Sequence, residues 1–323
     1  MFAVNSGSNS IAVFNINSDG TLTHVPGSPF LSGGFQPVSL ALQGNTLYVA
    51  NKNQDPGQGP NDTHPNYTCF RVTKFGHLSP IPDSTINEKF GSSPAQVLTS
   101  PDGHLLFAVD FGVNVFDPHA FGHLESALHL FRIESNGRLE ESPSTPQVPP
   151  ANPPIALGLL AHPTENILYV GFVAAGQVGV YTYDQTGQLT FNKAVPNSGK
   201  LVCWFSINSA ATFFYTSDNG DNSISTYDLR NDPKTPAEVQ RLALKDDNPS
   251  NPTPSSPFEL ALDPTSSFLY VVGERHTTDP SLTGGNVLHI LQVGQDGLLT
   301  EAPFSPILLP IPVESHPHGV VVL

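Results

Sequence analysis

An all-β chain folded as a single β-propeller domain over residues 1–323, with six blades, is predicted by three features of the sequence. A short apolar run, a turn and a second run shaped like Leu47-Tyr-Val-Ala-Asn51 recur five times in the interior, as in Val38–Leu42 then Leu47–Asn51. No long run places apolar residues at three- and four-residue spacing, so helix is expected to be scarce. The two ends share one more repeat, with a first run in His318–Leu323 and a second in Met1–Asn5. A repeat completed by its own termini suits a closed array of blades, and the C-terminal strand is expected to insert beside the N-terminal ones as a clasp.

Each repeat reads as four strands, a to d. Strand a is expected to begin near Val38, Ala95, Ile155, Val202, Phe258 and His318, and strand b to end near Asn5, Asn51, Asp110, Phe172, Asp218 and Gly273. Strands c and d flank tight turns at Asn17-Ser-Asp-Gly20, Glu134-Ser-Asn-Gly137, Asp184-Gln-Thr-Gly187 and Gly294-Gln-Asp-Gly297. A glycine there supplies the positive φ that a hairpin turn requires. Long connections fall at Lys52–Tyr67, Phe111–Ala127 and Arg275–Asn286 between b and c. Others fall at Ser84–Ser93, Ser142–Pro153, Asp246–Ser256 and Ser305–His316 between d and a. Long loops on a rigid scaffold are where binding concentrates.

Thirteen Lys and Arg against twenty-eight Asp and Glu leave a net charge of −15. No basic stripe exists to neutralise phosphates, so nucleic acid is not an expected partner, and the acidity opposes docking on an anionic membrane. A small-molecule ligand is the expected partner. Cys69 and Cys203 fall in distant repeats and are expected to be buried, unpaired thiols. The chain starts inside a strand pattern, which fits a cytoplasmic protein if Met1 is the native start and an exported one if a leader was removed.

The runs Leu47-Tyr-Val-Ala-Asn51, Ser100-Pro-Asp-Gly103 and Phe214-Tyr-Thr-Ser-Asp218 with Asp221-Asn-Ser-Ile-Ser225, and Asp19-Gly-Thr-Leu22 leading to Pro26-Gly-Ser-Pro29, resemble the lactonase-type propeller family. That family includes bacterial 6-phosphogluconolactonases and fungal carboxymuconate cyclases. The resemblance covers essentially the whole chain. It implies a lactone hydrolase or cycloisomerase, and seven blades as the alternative to six. The family's central Pro-Arg-His corresponds here to Pro154-Ile155-Ala156, its Asn-Glu to Gly171-Phe172, and its second Pro-His to Pro94-Ala95.

Chemistry is sought at the strand ends. Asn5, Asn51, Asp110 and Asp218 end strand b in four repeats and offer hard oxygens, so Ca²⁺ is possible although no cofactor is required. The same residue types also serve strand-end backbone. Glu274-Arg275-His276 offers a base, an anion clamp and a proton shuttle, and Glu259, the alternative base, is expected to pair with Arg275. At the openings of strand a stand Ser39, Gln96, Trp204 and His318; the first three are read as substrate-binding together with His276, and His318 as a proton donor. His316 with His318, and His119 with His123, are further imidazole pairs. The expected function is action on, or binding of, a small lactone, sugar acid or cyclic carboxylate. The alternatives are a non-catalytic scaffold for a protein or glycan, and a calcium-dependent lactonase.

Overall fold

The computed structural model describes residues 1–52, 64–89, 92–111, 126–142, 155–248, 250 and 252–323. Most of the long connections expected at Lys52–Tyr67, Phe111–Ala127 and Ser142–Pro153, and the His119 and His123 pair, lie outside the described residues. The chain gathers into two compact units, Met1–Ala161 with Tyr183–Thr190, and His162–Thr182 with Phe191–Leu323.

Six antiparallel sheets carry the fold, as the repeat count predicts. In the first, β1 (Phe2–Asn5), β2 (Ser10–Ile16) and β3 (Leu22–His24) lie in order, and β4 (Phe30–Leu31) pairs the other end of β2. The second runs β5 (Pro37–Gln43), β6 (Thr46–Asn51), β7 (Asn66–Val72) and β8 (Leu78–Pro80), with β9 (Ile86–Asn87) on β7. The third runs β10 (Pro94–Thr99), β11 (Leu105–Asp110), β12 (Ala127–Ile133) and β13 (Leu139–Glu141). The fourth runs β14 (Ala156–Ala161), β15 (Ile167–Phe172), β16 (Gln177–Tyr183) and β17 (Leu189–Pro196). The fifth runs β18 (Val202–Ile207), β19 (Phe213–Asp218), β20 (Ser223–Asp228) and β21 (Ala237–Ala243). The sixth runs β22 (Ser255–Leu262), β23 (Phe268–Arg275), β24 (Val287–Val293) and β25 (Leu299–Glu301), with β26 (Ile307–Leu308) on β24. Among the described residues there is no α-helix.

The second strand of a sheet is the repeat that the sequence shows most clearly, and burial explains why. Every residue of β6, β11, β15 and β19 is buried. A strand covered on both faces reads as a continuous apolar run, whereas the outer β21 alternates between exposed and half-buried positions. Neighbouring sheets meet through these strands. Tyr48, Ala50 and Tyr67 pack with Leu106, Ala108 and Phe131 in one unit, and Phe213 and Tyr215 pack with Leu260, Leu269 and Val271 in the other. The c–d turns close on Gly20, Gly137, Gly187 and Gly297, with φ of 82°, 83°, 85° and 80°.

In three sheets the outermost strand is broken by one recurring segment. Val25-Pro-Gly-Ser28-Pro-Phe30, Ile81-Pro-Asp-Ser84-Thr-Ile86 and Ala302-Pro-Phe-Ser305-Pro-Ile307 each begin with an N–H donated to strand c, to Val13, Cys69 and Ile290 at 2.9 Å. Proline then removes the next donor. The serine gives strand c's next N–H an acceptor: the Ser28 and Ser305 hydroxyls accept the N–H groups of Val13 and Ile290 at 2.8 and 3.0 Å. The chain then rejoins strand c as β4, β9 or β26. Ser84–Ser93 and Ser305–His316, expected as loops, therefore each contain a short strand.

Two boundary expectations are corrected. β23 runs on to Arg275 rather than stopping at Gly273, so Glu274 and Arg275 lie inside a strand. The expected C-terminal strand is not formed: among the described residues no strand lies beyond β26, β1 has β2 as its hydrogen-bonded neighbour, and Val321 and Leu323 are 59% and 66% exposed. The last sheet holds the tail instead. The Asn286 side-chain amide donates to the carbonyls of Pro312, Val313 and Ser315, and the His318 ring stacks on Phe258 at 4.1 Å. The Asn286 bonds satisfy three of the tail's carbonyls without a ladder.

In the second, fourth and fifth sheets the last residue of strand b and the third residue of strand c fill one enclosed space. Asn51 donates to Thr68 Oγ1 at 3.2 Å, and Asp218 accepts from Ser225 Oγ at 2.7 Å. At the same place a Cβ on Gly179 would fall 2.3 Å from the Phe172 ring. Gly179→Ala is therefore expected to overpack the slot at a cost of about 1–3 kcal/mol and to lower the melting temperature by about 2–4 °C. Adding Phe172→Leu should recover part of that loss in the same melt; a double variant less stable than Gly179→Ala alone would refute the shared space.

Candidate functional site

The strand-a openings singled out above owe their placement to β-bulges. Pairing of β5 with β6 shifts register between Pro37 and Ser39, β10 with β11 between Pro94 and Gln96, β18 with β19 between Val202 and Phe205, and β22 with β23 between Pro257 and Leu260. Each bulge inserts one extra residue and re-aims the side chains beside it. In the last sheet the re-aimed residues are Phe258 and Glu259.

Glu259 is half-buried and meets the tail. Its N–H reaches the His318 carbonyl at 3.4 Å. Burial pushes its carboxyl up to about 7, against the opposing pull of the Val320 N–H and the His318 ring. Opposite, Glu274 is 13% exposed and accepts from both tail imidazoles, from His318 Nε2 at 2.9 Å and from His316 Nδ1. Burial alone would raise the Glu274 carboxyl, but the two histidines outweigh it and hold it below the usual range. The histidines are 70% and 55% exposed, so a sheltered carboxylate presents two accessible rings to solvent. Phe258 clamps the His318 ring nearly parallel, at 6° between planes. The result is a pair of carboxylates pushed in opposite directions, with one imidazole between them, which is how acid and base roles are divided.

Glu274, Glu259 and His318, named from the sequence, are thus brought together. Arg275 is not part of this group. Its guanidinium donates to the carbonyls of Thr277 and Gly284 at 3.0 Å and of Asp279 at 2.5 Å. It braces its own loop instead of pairing with Glu259, because the loop supplies three unmatched carbonyls within its reach. His276 is exposed and borders a cleft of ≈ 290 Å³ with Leu201, Asn219, Asp221, Pro254 and Ser256. Ser256 is the register partner of Glu274, so that cleft adjoins the strand position carrying the carboxylate.

The other expected binding groups are occupied by structure. Gln96 grips the Leu159 backbone from both sides, accepting its N–H at 2.6 Å and donating to its carbonyl at 3.4 Å. The Ser39 hydroxyl accepts the Val97 N–H at 3.1 Å. Trp204 is half-buried against Leu260, Leu269 and their neighbours, and its indole N–H has no partner among the described residues. Cys69 and Cys203 are free and buried, as expected, with thiols pushed up by burial to about 11 and about 12.

Asn5, Asn51, Asp110 and Asp218 end their strands at matching positions, yet each serves its own sheet. Asn5 donates to Ser10 at 3.3 Å, Asn51 to Asn66 and Thr68, and Asp218 accepts from Ser223 and Ser225. Asp110 accepts the Ser93 N–H at 2.6 Å and lies beside Glu88 and His129. Burial pushes Asp218 up to about 7, opposed by Ser225 and Ser223.

Sequence reasoning paired His316 with His318 without giving it a role at the site, and missed Phe258, Glu88 and His129. A usable signal existed for His129: Leu128-His-Leu-Phe131 and Leu288-His-Ile-Leu291 both carry an imidazole inside an apolar strand, and each histidine has a glutamate twelve residues on.

A family model, the seven-bladed β-propeller lactonase, matches residues 158–274. The periplasmic gluconolactonase of Pseudomonas aeruginosa superposes with a TM-score of 0.70 at 20% identity, covering 92% of this chain and 79% of that one. A candidate 6-phosphogluconolactonase of Bacteroides fragilis gives 0.67 at 20% identity, covering 94% and 79%. A Lactobacillus plantarum protein gives 0.70 at 16% identity, covering 93% and 78%. No curated protein matches the sequence. The chain resembles the lactonase propellers in sequence motif and in fold, with six blades among its described residues where the family model has seven.

Asp218 and Glu259 make stability depend on pH in a defined direction. Their carboxyls sit near 7 in the folded chain against 3.8 and 4.5 as ordinary values, so the folded state holds extra protons in that window. Their contribution is fully present below about pH 4, and it is lost as pH rises through about 7. The melting temperature should fall more steeply between pH 5 and pH 8 in the natural protein than in Asp218→Asn or Glu259→Gln. Parallel pH profiles in all three would contradict the shifts.

Proposed function

We propose that this protein hydrolyses a small lactone at the Glu274–His318–Glu259 cluster, with a sugar lactone or cyclic carboxylate ester as the substrate class. The reading is carried by one observation: a carboxylate lowered by two exposed imidazoles stands beside a second carboxyl raised to about 7. The fold neighbours supply its second support, since the Pseudomonas aeruginosa protein is a gluconolactonase.

In this reading a water adds to the lactone carbonyl while its proton passes to Glu274, directly or through His316 or His318. The tetrahedral intermediate collapses with cleavage of the ring C–O bond. The departing alkoxide takes the proton that Glu259 holds below about pH 7, leaving an open hydroxy acid. His318, stacked on Phe258, is oriented to return the proton to Glu259. Arg275 acts at one remove, by bracing the 277–284 loop next to the cleft. His276 lines the cleft in which the rest of the substrate is held.

A panel of five- and six-membered lactones, assayed with and without Ca²⁺, tests the proposal. Glu274→Gln is expected to lose at least ~10²-fold in kcat, the size of a general-base contribution. Glu259→Gln should remove the decline of rate on the alkaline side of pH 7. Full activity in Glu274→Gln, or no hydrolysis of any lactone above the buffer rate, would overturn it.

A further inference from the structure

The third sheet contains a group of acids that its counterpart in the sixth lacks. His289 in the sixth sheet is fully buried, and its Nδ1 pairs with Glu301 Oε1 at 2.8 Å. Glu301 is also held by the Ser305 hydroxyl and the Lys245 N–H, each at 2.7 Å. The strand-b position that matches Asp110 is Gly273 there, where a Cβ would meet Ser255 Oγ at 2.6 Å and Val287 Cγ2 at 2.7 Å and would touch His289 Nε2 at 3.5 Å. One imidazole and one carboxylate, tied by short hydrogen bonds, make a structural pair.

His129 occupies the same place in the third sheet, as the third residue of strand c. Its glutamate, Glu141, matches Glu301 on strand d, yet stands 3.9 Å from Nδ1. In place of Gly273 the strand ends in Asp110, and Glu88 closes in from just beyond β9, with Oε2 3.7 Å from His129 Nε2. One donor atom each from Glu88, Asp110 and His129 lies within 4.8 Å of the others. His129 is 6% exposed, and neither ring nitrogen has a hydrogen-bond partner among the described residues. A buried imidazole left without a hydrogen bond costs about 1–3 kcal/mol. With Glu88 and Glu141 facing its two nitrogens at 3.7 and 3.9 Å, a cation between them would satisfy ring and carboxylates together. Two neighbouring hydroxyls repeat the message. Tyr67, 1% exposed and beside the His129 ring, leaves its Oη unpaired, and Ser93, whose N–H holds Asp110, leaves its Oγ unpaired. The carboxylates raise the Tyr67 hydroxyl further above its ordinary value than burial alone does. Lys52 lies near Asp110, with its ammonium disfavoured by burial.

We propose that Glu88, Asp110 and His129 bind a divalent first-row transition cation, Zn²⁺ or Mn²⁺, with Glu141 poised as a fourth ligand. Two or three carboxylates around one imidazole suit such an ion, and the imidazole nitrogen disfavours Ca²⁺ and Mg²⁺, which prefer all-oxygen sites. Binding draws donor atoms now within 4.8 Å towards distances of about 2.0–2.2 Å from a common centre and neutralises the carboxylates. The site is separate in residues from the Glu274 cluster and stands whether or not that cluster is catalytic.

The test uses the full chain, stripped with chelator and then titrated with Zn²⁺, Mn²⁺, Co²⁺ or Ca²⁺. Melting temperature, metal content after dialysis and the visible absorption of bound Co²⁺ are recorded. A saturable stabilisation by Zn²⁺ or Mn²⁺, weakened at least tenfold in His129→Gln and in Glu88→Gln and unchanged in His289→Gln, is expected. Glu88→Gln alters the more accessible ligand and keeps the test usable if His129→Gln does not fold. No saturable response to Zn²⁺ or Mn²⁺ in the natural protein, a response undiminished in Glu88→Gln, or a loss of equal size in His289→Gln would overturn the proposal and leave a cluster held together by protons.

Discussion

The constraint on which this structure depends is the enclosed space where strand b ends against strand c. It is closed on both sides by neighbouring strands, so whatever stands at its two positions must match in volume and leave no polar atom stranded. The chain solves the problem differently in each sheet. Phe172 lies over Gly179, Asn51 donates to Thr68, Asp218 takes two serine hydroxyls, and Gly273 stands beside His289. Apolar filling is the most stable of these, since burying an aromatic ring contributes about 1.5–3 kcal/mol. Polar filling is costlier because each buried group needs a partner. Single atoms stay without a partner among the described residues in other slots, Asn51 Oδ1, Asp218 Oδ1 and His289 Nε2 for example. In the third sheet both nitrogens of the imidazole do, beside two carboxylates, which gives Glu88, Asp110 and His129 their chemical interest.

A second constraint acts at the inner strand. Each bulge adds a residue that the ladder cannot use, and the freed backbone groups must find partners outside it. The Trp204 N–H finds the Ser217 hydroxyl at 3.1 Å, and the Glu259 N–H finds the His318 carbonyl. In the last sheet that need captures the tail, and with the tail come two imidazoles for Glu274. The same geometry that satisfies a backbone donor therefore assembles the polar cluster. Strand closure is not what the tail contributes; it contributes side chains.

The all-β class, the six repeats, the c–d turns and most strand-b ends were legible in the residue pattern, because continuous apolar runs and positive-φ glycines are local signals. Glu274, Glu259 and His318 were legible as polar residues at strand openings. Their grouping was not, since it depends on a bulge at Phe258–Glu259 and on a tail that turns back over its own sheet. Arg275 was misread for a related reason: it was expected to pair with Glu259 of the same repeat, and only the folded loop shows three carbonyls competing for it. Short strands such as β9 and β26 went unseen because two residues after a proline carry no period.

By itself the sequence determined the blade repeat, the residues at each strand end and the acidic, unpaired-cysteine character of the chain, all of which follow from spacing of two to fifty residues. Tertiary structure alone decided which of those residues meet. Glu88 and His129 are forty-one positions apart and Glu274 and His318 forty-four, and both pairs are set by sheet register and by the course of the tail. Register in a buried sheet is decided by how side chains fill shared space across strands, which is a property of the packed whole that no local stretch contains.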